Sequence, residues 1–137
     1  MADTVEFELV SPEKLLLSAP VEMVVVPGSE GDFGVLPGHA PMISTIRTGV
    51  ITIWKDGAVE RRVFVAGGVA EVQPERCTVL AEDAVALDEA DEGEIQIRVE
   101  DAREAVERAG DDAGRVVAET QLAAAEALQA AFREARA

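Results

Sequence analysis

Residues 30–41, EGDFGVLPGHAP, hold the chain's only histidine, His39, together with two carboxylates (Glu30 and Asp32), three glycines and two prolines. A histidine beside acids can act as a general base, and a glycine-rich loop can cradle a phosphate. Neither chemistry is completed here. No serine or cysteine nucleophile motif accompanies His39, and nothing else in the chain makes up a triad. The loop lacks both the G-x-x-x-x-G-K-S/T spacing and a lysine, while Pro37 and Pro41 remove backbone donors. One His and one Cys cannot supply a His/Cys zinc set, and Cys77 has no partner for an internal disulfide. The expectation is therefore no catalytic residue, no metal and no cofactor. Glycines at 31, 34 and 38 allow positive φ or close approach by another chain, and the prolines stiffen the connection, so the stretch reads as a shaped loop.

Composition bounds what this loop serves. At 137 residues and 48% apolar content the chain holds one ordinary domain, or a compact domain with an appendage. Its formal charge of −15 opposes binding to nucleic acid or to an anionic lipid surface. Basic partners, or partners met through an apolar patch, are favoured. No apolar run approaches the roughly 20 residues of a membrane span, and MADTVEFELV is not a signal leader, which places the chain in the cytoplasm.

From residue 4 to about 87 the signals are short strands broken by turns. VEFEL alternates, with Val5, Phe7 and Leu9 on one face and Glu6 and Glu8 on the other. VITIW and VERRVFVA flank Lys55-Asp56-Gly57-Ala58, where Asp-Gly signals a hairpin; VAEV and CTVLA flank Gln73-Pro74-Glu75-Arg76. Such spacing means a sandwich or a flattened barrel. Trp54, Phe64 and Cys77 read as core residues of these strands. EDAVALDEADE, 82–92, carries six acids in eleven residues and reads as a solvated linker.

After residue 90 the period changes. Ile95, Val99, Ala102, Val106 and Ala109 form one helical stripe, with Asp91 and Glu94 as its opening cap. GDDAG, 110–114, breaks the pattern, and Val117, Gln121, Ala124, Leu128 and Ala131 repeat it, so the tail is a helical hairpin. Nine alanines between 115 and 137 let its helices approach closely, and the small area they bury requires further support. The chain divides into residues 1–87, all β, and 88–137, an acidic linker with the hairpin.

The combination of SPEKLLLSAPVEMVVVPGSEGDFGVLPGHAPMISTIRTGVITI, VAGGVAEVQPERCTVLAEDA and a helical hairpin resembles the epsilon subunit of bacterial F-type ATP synthases, called delta in mitochondrial nomenclature. The likeness covers essentially the whole chain, and GDFGVLPGHAP is its most specific part. It implies a ten-stranded β-sandwich with a C-terminal antiparallel α-helical hairpin, a non-catalytic rotor part at the foot of the central stalk. The implied partners are the gamma subunit and the c-ring, and the location is peripheral, on the cytoplasmic face of the cell inner membrane. By resemblance, Glu30, Gly31, Asp32 and Phe33 face the c-ring, and Ser11, His39, Met42, Ile43 and Ser44 face gamma. A contact of the hairpin with the alpha and beta catalytic subunits is left open.

Many members of this family sense nucleotide at an Ile/Leu-Asp-x-x-Arg-Ala pattern opening the first helix. Here ADEGEI keeps Asp91 but puts Glu94 where the arginine belongs, and a carboxylate beside a triphosphate reverses the sign of the interaction. Asp91 and Glu94 are thus a degenerate remnant, and no ATP site is expected. The competing reading is a stand-alone β-sandwich adaptor that grips another protein through its hairpin. A sugar-binding or enzymatic sandwich is disfavoured by one Trp and no Tyr, since such sites use stacking platforms.

Overall fold

A computed structural model describes residues 3–136. Its contacts separate Met1–Asp88 from Glu89–Ala137. Ten strands fill the first unit: β1 (Val5–Val10), β2 (Leu15–Val21), β3 (Met23–Gly28), β4 (Gly31–Val35), β5 (Met42–Ile46), β6 (Gly49–Lys55), β7 (Ala58–Val65), β8 (Gly68–Val72), β9 (Arg76–Ala81) and β10 (Ala84–Ala86). The second unit holds α1 (Glu92–Arg108) and α2 (Asp112–Ala135).

The strands form a curled sheet in the order β10-β7-β6-β3-β5-β8-β9-β1-β2, with β4 beside β3. Its two halves are joined at a corner where Gly28 of β3 pairs with Ile46 of β5. There the sheet folds over, and one apolar cluster draws on both halves. Val24, Val26, Val35, Ile51, Ile53, Val63 and Val65 come from one, and Val5, Phe7, Leu9, Ala70, Val72, Cys77 and Val79 from the other. Strand alternation explains this directly, because in β1 the apolar residues at odd positions are buried and Glu6 and Glu8 are half-exposed. Within the second half β1 lies parallel to β9, Phe7 opposite Cys77 and Leu9 opposite Val79.

Asp56 and Gly57 both take positive φ, 54° and 78°, in the tight β6–β7 turn that Asp-Gly predicts. The turn is tied down by the Gly57 amide donating to Glu22 Oε1 at 2.8 Å. Two expectations need correction. Residues 84–86 of the supposed linker are β10, paired with β7, and Leu87 is buried. Its apolar run Ala84-Val85-Ala86-Leu87 outweighed the flanking acids. Trp54 is half-buried and not part of the core cluster. Phe64 is buried as expected, lying opposite Val50 on the face of β7 away from Val63 and Val65.

Asp91 caps α1, its Oδ2 accepting the Glu94 amide at 3.0 Å, and Ile95 and Val99 are buried below it. Asp111 caps α2 in the same way through the Gly114 amide at 2.6 Å, so the break is shorter than GDDAG and Gly114 lies inside the first turn. The buried face of α2 is Ala118, Ala125, Leu128 and Phe132, whereas Val117 is exposed. The stripe drawn from Val117 is therefore turned by one residue, because the face containing Phe132 buries more apolar area. Across the hairpin Gln129 Nε2 donates to Gln96 Oε1 at 2.7 Å. No helix among the described residues is long and apolar enough to cross a membrane.

Candidate functional site: an interaction surface

The first surface is the tip between β3 and β4. Gly28 and Gly31 pair at its base, Gly31 takes φ 137°, and Glu30, Gly31 and Asp32 are exposed. Phe33 does not join them in solvent: it is half-buried and packs against the core cluster. Its ring sits so close to Gly28 that a Cβ there would meet Cδ1 at 2.9 Å. Asp32 is not a free carboxylate either. Arg47, just beyond β5, donates through Nη2 to Asp32 Oδ1 and through Nη1 to the Gly28 carbonyl oxygen. Beside it, Thr45 Oγ1 donates to Ser29 Oγ at 2.7 Å, and the Ser29 amide donates to the Thr45 carbonyl at 2.9 Å. Glu30 alone of the two acids makes no hydrogen bond or ion pair among the described residues.

The second surface lies on the outer face of the β5-β8-β9-β1-β2 half. Register places Thr45 opposite Val69, Val69 opposite Leu80, Leu80 opposite Val10 and Val10 opposite Leu15. This is one row across five strands. Leu80 is 52% exposed, Leu15 54%, and Ile43, two residues along from Thr45 on the same face, 74%. Met42 and Ser44 pair with the buried Val72 and Ala70, so alternation turns them toward the core side while Ile43 faces out. Ser11 closes the β1–β2 turn, its Oγ accepting the Lys14 amide at 3.3 Å. His39 Nδ1 donates to its neighbour's carbonyl, Ala40 O, at 2.7 Å, and the Gly38 amide ties this loop to Pro74 O at 2.8 Å. The five residues expected to face gamma thus do not share one face.

Sequence reading missed Arg47, Val69, Leu80 and Leu15. Alternation marks Val69 and Leu80 as outward in their own strands, but the row depends on strand register. Nothing local in Arg47 signals a partner 15 positions away. The described residues contain no cluster of three His, Cys, Asp or Glu placed to hold a metal. Burial pushes the Cys77 thiol up to about 11, which suits a packed side chain and not a nucleophile. Asp91 and Glu94 meet only through the helix cap already described.

These surfaces can be set beside known proteins. The family described as ATP synthase, Delta/Epsilon chain, beta-sandwich domain matches residues 4–87. The ATP synthase epsilon chain of Rhodospirillum rubrum is 53% identical over 131 residues, 96% of this chain and 98% of the relative. That of Rhodospirillum centenum is 55% identical over 132 residues, 93% and 90% of the two chains. Among solved structures, a chain of the Euglena gracilis mitochondrial ATP synthase, determined with its c-ring, superposes with a TM-score of 0.76 at 25% identity, covering 96% of this chain and 83% of that one. A chain of the Tetrahymena thermophila central stalk and c-ring shares the fold, with a TM-score of 0.63 at 16% identity, over 97% and 96% of the two chains. The alternating strands, the glycine-bearing tip and the capped hairpin are thus those of the ATP synthase delta/epsilon family, to which this chain belongs.

Proposed function

We propose that the chain is a non-catalytic subunit of the ATP synthase rotor, seated at the foot of the central stalk, where it joins gamma to the c-ring and helps couple proton flow to ATP synthesis. Its membrane association then comes only through the complex, on the cytoplasmic face. The observation that carries the gamma contact is the row Val69, Leu80, Val10 and Leu15 with Ile43 beside it, an apolar strip left in solvent on a chain of charge −15. Apolar side chains lined up across five strands offer a partner an interface core, with Glu71 opposite Ile43 and the Arg76–Glu8 pair farther along the same face as its charged rim. Relatives at about half identity over nearly the full length support the same reading.

The test is co-elution of the chain with the gamma subunit on gel filtration. Ile43→Lys combined with Leu80→Lys places two charges on exposed positions, so the sandwich stays folded while gamma affinity falls by about tenfold or more. A doubly substituted chain that binds gamma as before removes the row from the interface. A chain that never forms a complex with gamma favours the adaptor reading.

A further inference from the structure

The β3–β4 tip is braced from both sides by groups that do not sit at its apex. Phe33 packs against Gly28 on the core side. Arg47 spans the other side, one guanidinium nitrogen on the Gly28 carbonyl oxygen and the other on the Asp32 carboxylate. A planar guanidinium can hold two acceptors in a fixed relation, which a lysine cannot. The Arg47 amide also donates to Pro27 O at 2.9 Å, so its backbone and side chain both bind the strand that carries the tip. Between these anchors the chain turns through Ser29 and Glu30, and Glu30 is exposed with no partner of its own among the described residues.

We propose that Arg47 is the positioning residue of this tip, that Asp32 serves as its internal counter-charge, and that Glu30 is the carboxylate offered to a basic or amide-bearing loop. The last element rests on the assignment of the tip to the c-ring. Two acids flanking Gly31 look equivalent in the sequence, but Asp32, still 62% exposed, has one oxygen engaged by Arg47, whereas Glu30 has no partner among the described residues. Asp32 acts through Arg47 by keeping the turn in the conformation that Glu30 needs.

Two readouts on the full-length chain separate these roles. Hydrogen exchange at the Ser29 amide reports the brace, and retention of the assembled catalytic head on membranes during low-salt washing reports the contact. Arg47→Gln speeds Ser29 exchange by about fivefold and loosens retention, and Arg47→Lys restores part of both. Asp32→Asn speeds exchange similarly, and the double variant is no faster than either alone, because the two side chains act as one unit. Glu30→Gln leaves exchange unchanged and loosens retention. Unaltered Ser29 exchange in Arg47→Gln overturns the brace. Loosened retention in Asp32→Asn with unaltered exchange makes Asp32 a contact charge and overturns its assigned role. Retention that ignores every variant while exchange responds overturns Glu30's role together with the c-ring assignment and leaves the brace standing.

Discussion

Gly68 lies so close to Leu80 that a Cβ on it would fall 2.2 Å from the Leu80 carbonyl oxygen. The contact is backbone to side chain, so no rotamer change relieves it. Gly68 is held there from both sides, paired with Ile46 of β5 and with Ala81 of β9, and its φ of 135° is a conformation other residues avoid. Gly68→Ala is therefore expected to destabilise the sandwich by about 3 kcal/mol or more, read as a lower urea midpoint. Wild-type stability in that variant would show that β8 shifts freely against β9.

The glycines of the GDFGVLPGHAP stretch are not equivalent. Gly38 takes φ 85° where its amide reaches Pro74, so Gly38→Ala should cost about 1 kcal/mol. Gly34 has ordinary strand φ, and a Cβ there would meet only Met23 Sδ at 3.5 Å, an ordinary contact. Of the two uses that glycine allows at this position, positive φ is therefore not the one Gly34 makes. Gly34→Ala should change stability by less than about 0.5 kcal/mol, and thermal melting of the two variants side by side checks both.

Local patterns carried the strands and caps, while anything depending on register stayed hidden. Val5, Phe7 and Leu9 are inward because alternation is a property of one strand, and Asp-Gly at 56–57 specifies its own turn. The family resemblance supplied the strand count and the two-layer arrangement. The row from Val69 to Leu15 exists only because β8, β9, β1 and β2 pair in one particular register. Arg47 likewise meets Asp32 only after β3 has paired with β5 at the corner. On α2, the spacing rule fits two adjacent stripes, and the packing of Phe132 chooses between them.

Cys77 gives the sandwich a pH dependence. Burial between Phe7 and Val72 raises its pKa from 9.0 to about 11. The folded thiol therefore keeps its proton in a range where the unfolded one has lost it, so this contribution is full below pH 9 and is lost as pH rises toward 11. The loss amounts to about 2 to 3 kcal/mol. Urea unfolding at pH 8 and pH 10.5 should show a steeper decline in the wild type than in Cys77→Ala, whatever the latter loses in packing. Parallel declines would mean the thiol ionises without penalty.

Nucleotide should leave the chain unmoved. The Asp91 carboxylate already accepts the Glu94 amide, and the Glu94 side chain brings a second negative charge to the start of α1. A ligand that binds only the folded state raises its apparent stability, so millimolar ATP should produce no change in melting temperature. A clear rise, abolished by Asp91→Ala, would show that the remnant at the start of α1 still binds nucleotide.

The last prediction concerns inhibition of ATP hydrolysis, which the family often achieves by extending the hairpin so that basic residues of its second helix engage an acidic segment of the catalytic subunits. Between Arg115 and Arg133 α2 contains no Lys or Arg and two glutamates, Glu119 and Glu126. Arg115 pairs locally with Glu119 at 3.3 Å, and Arg136, beyond Arg133, lies 4.3 Å from the Phe132 ring centroid. Glu126 faces Arg103 of α1 at 3.8 Å, a bridge that separation of the helices would break. These exposed pairs are weak singly, but extension would also uncover Leu128 and Phe132, whose burial opposes it. Glutamates carried toward an acidic partner would add repulsion that grows as water is excluded. Removal of residues 110–137 should therefore change hydrolysis by the assembled enzyme less than about twofold, a barrier change of about 0.4 kcal/mol, with proton pumping intact. ATPase and pumping rates of reconstituted full-length and truncated complexes check this, and a severalfold rise in hydrolysis on truncation would show that the hairpin inhibits without a basic face.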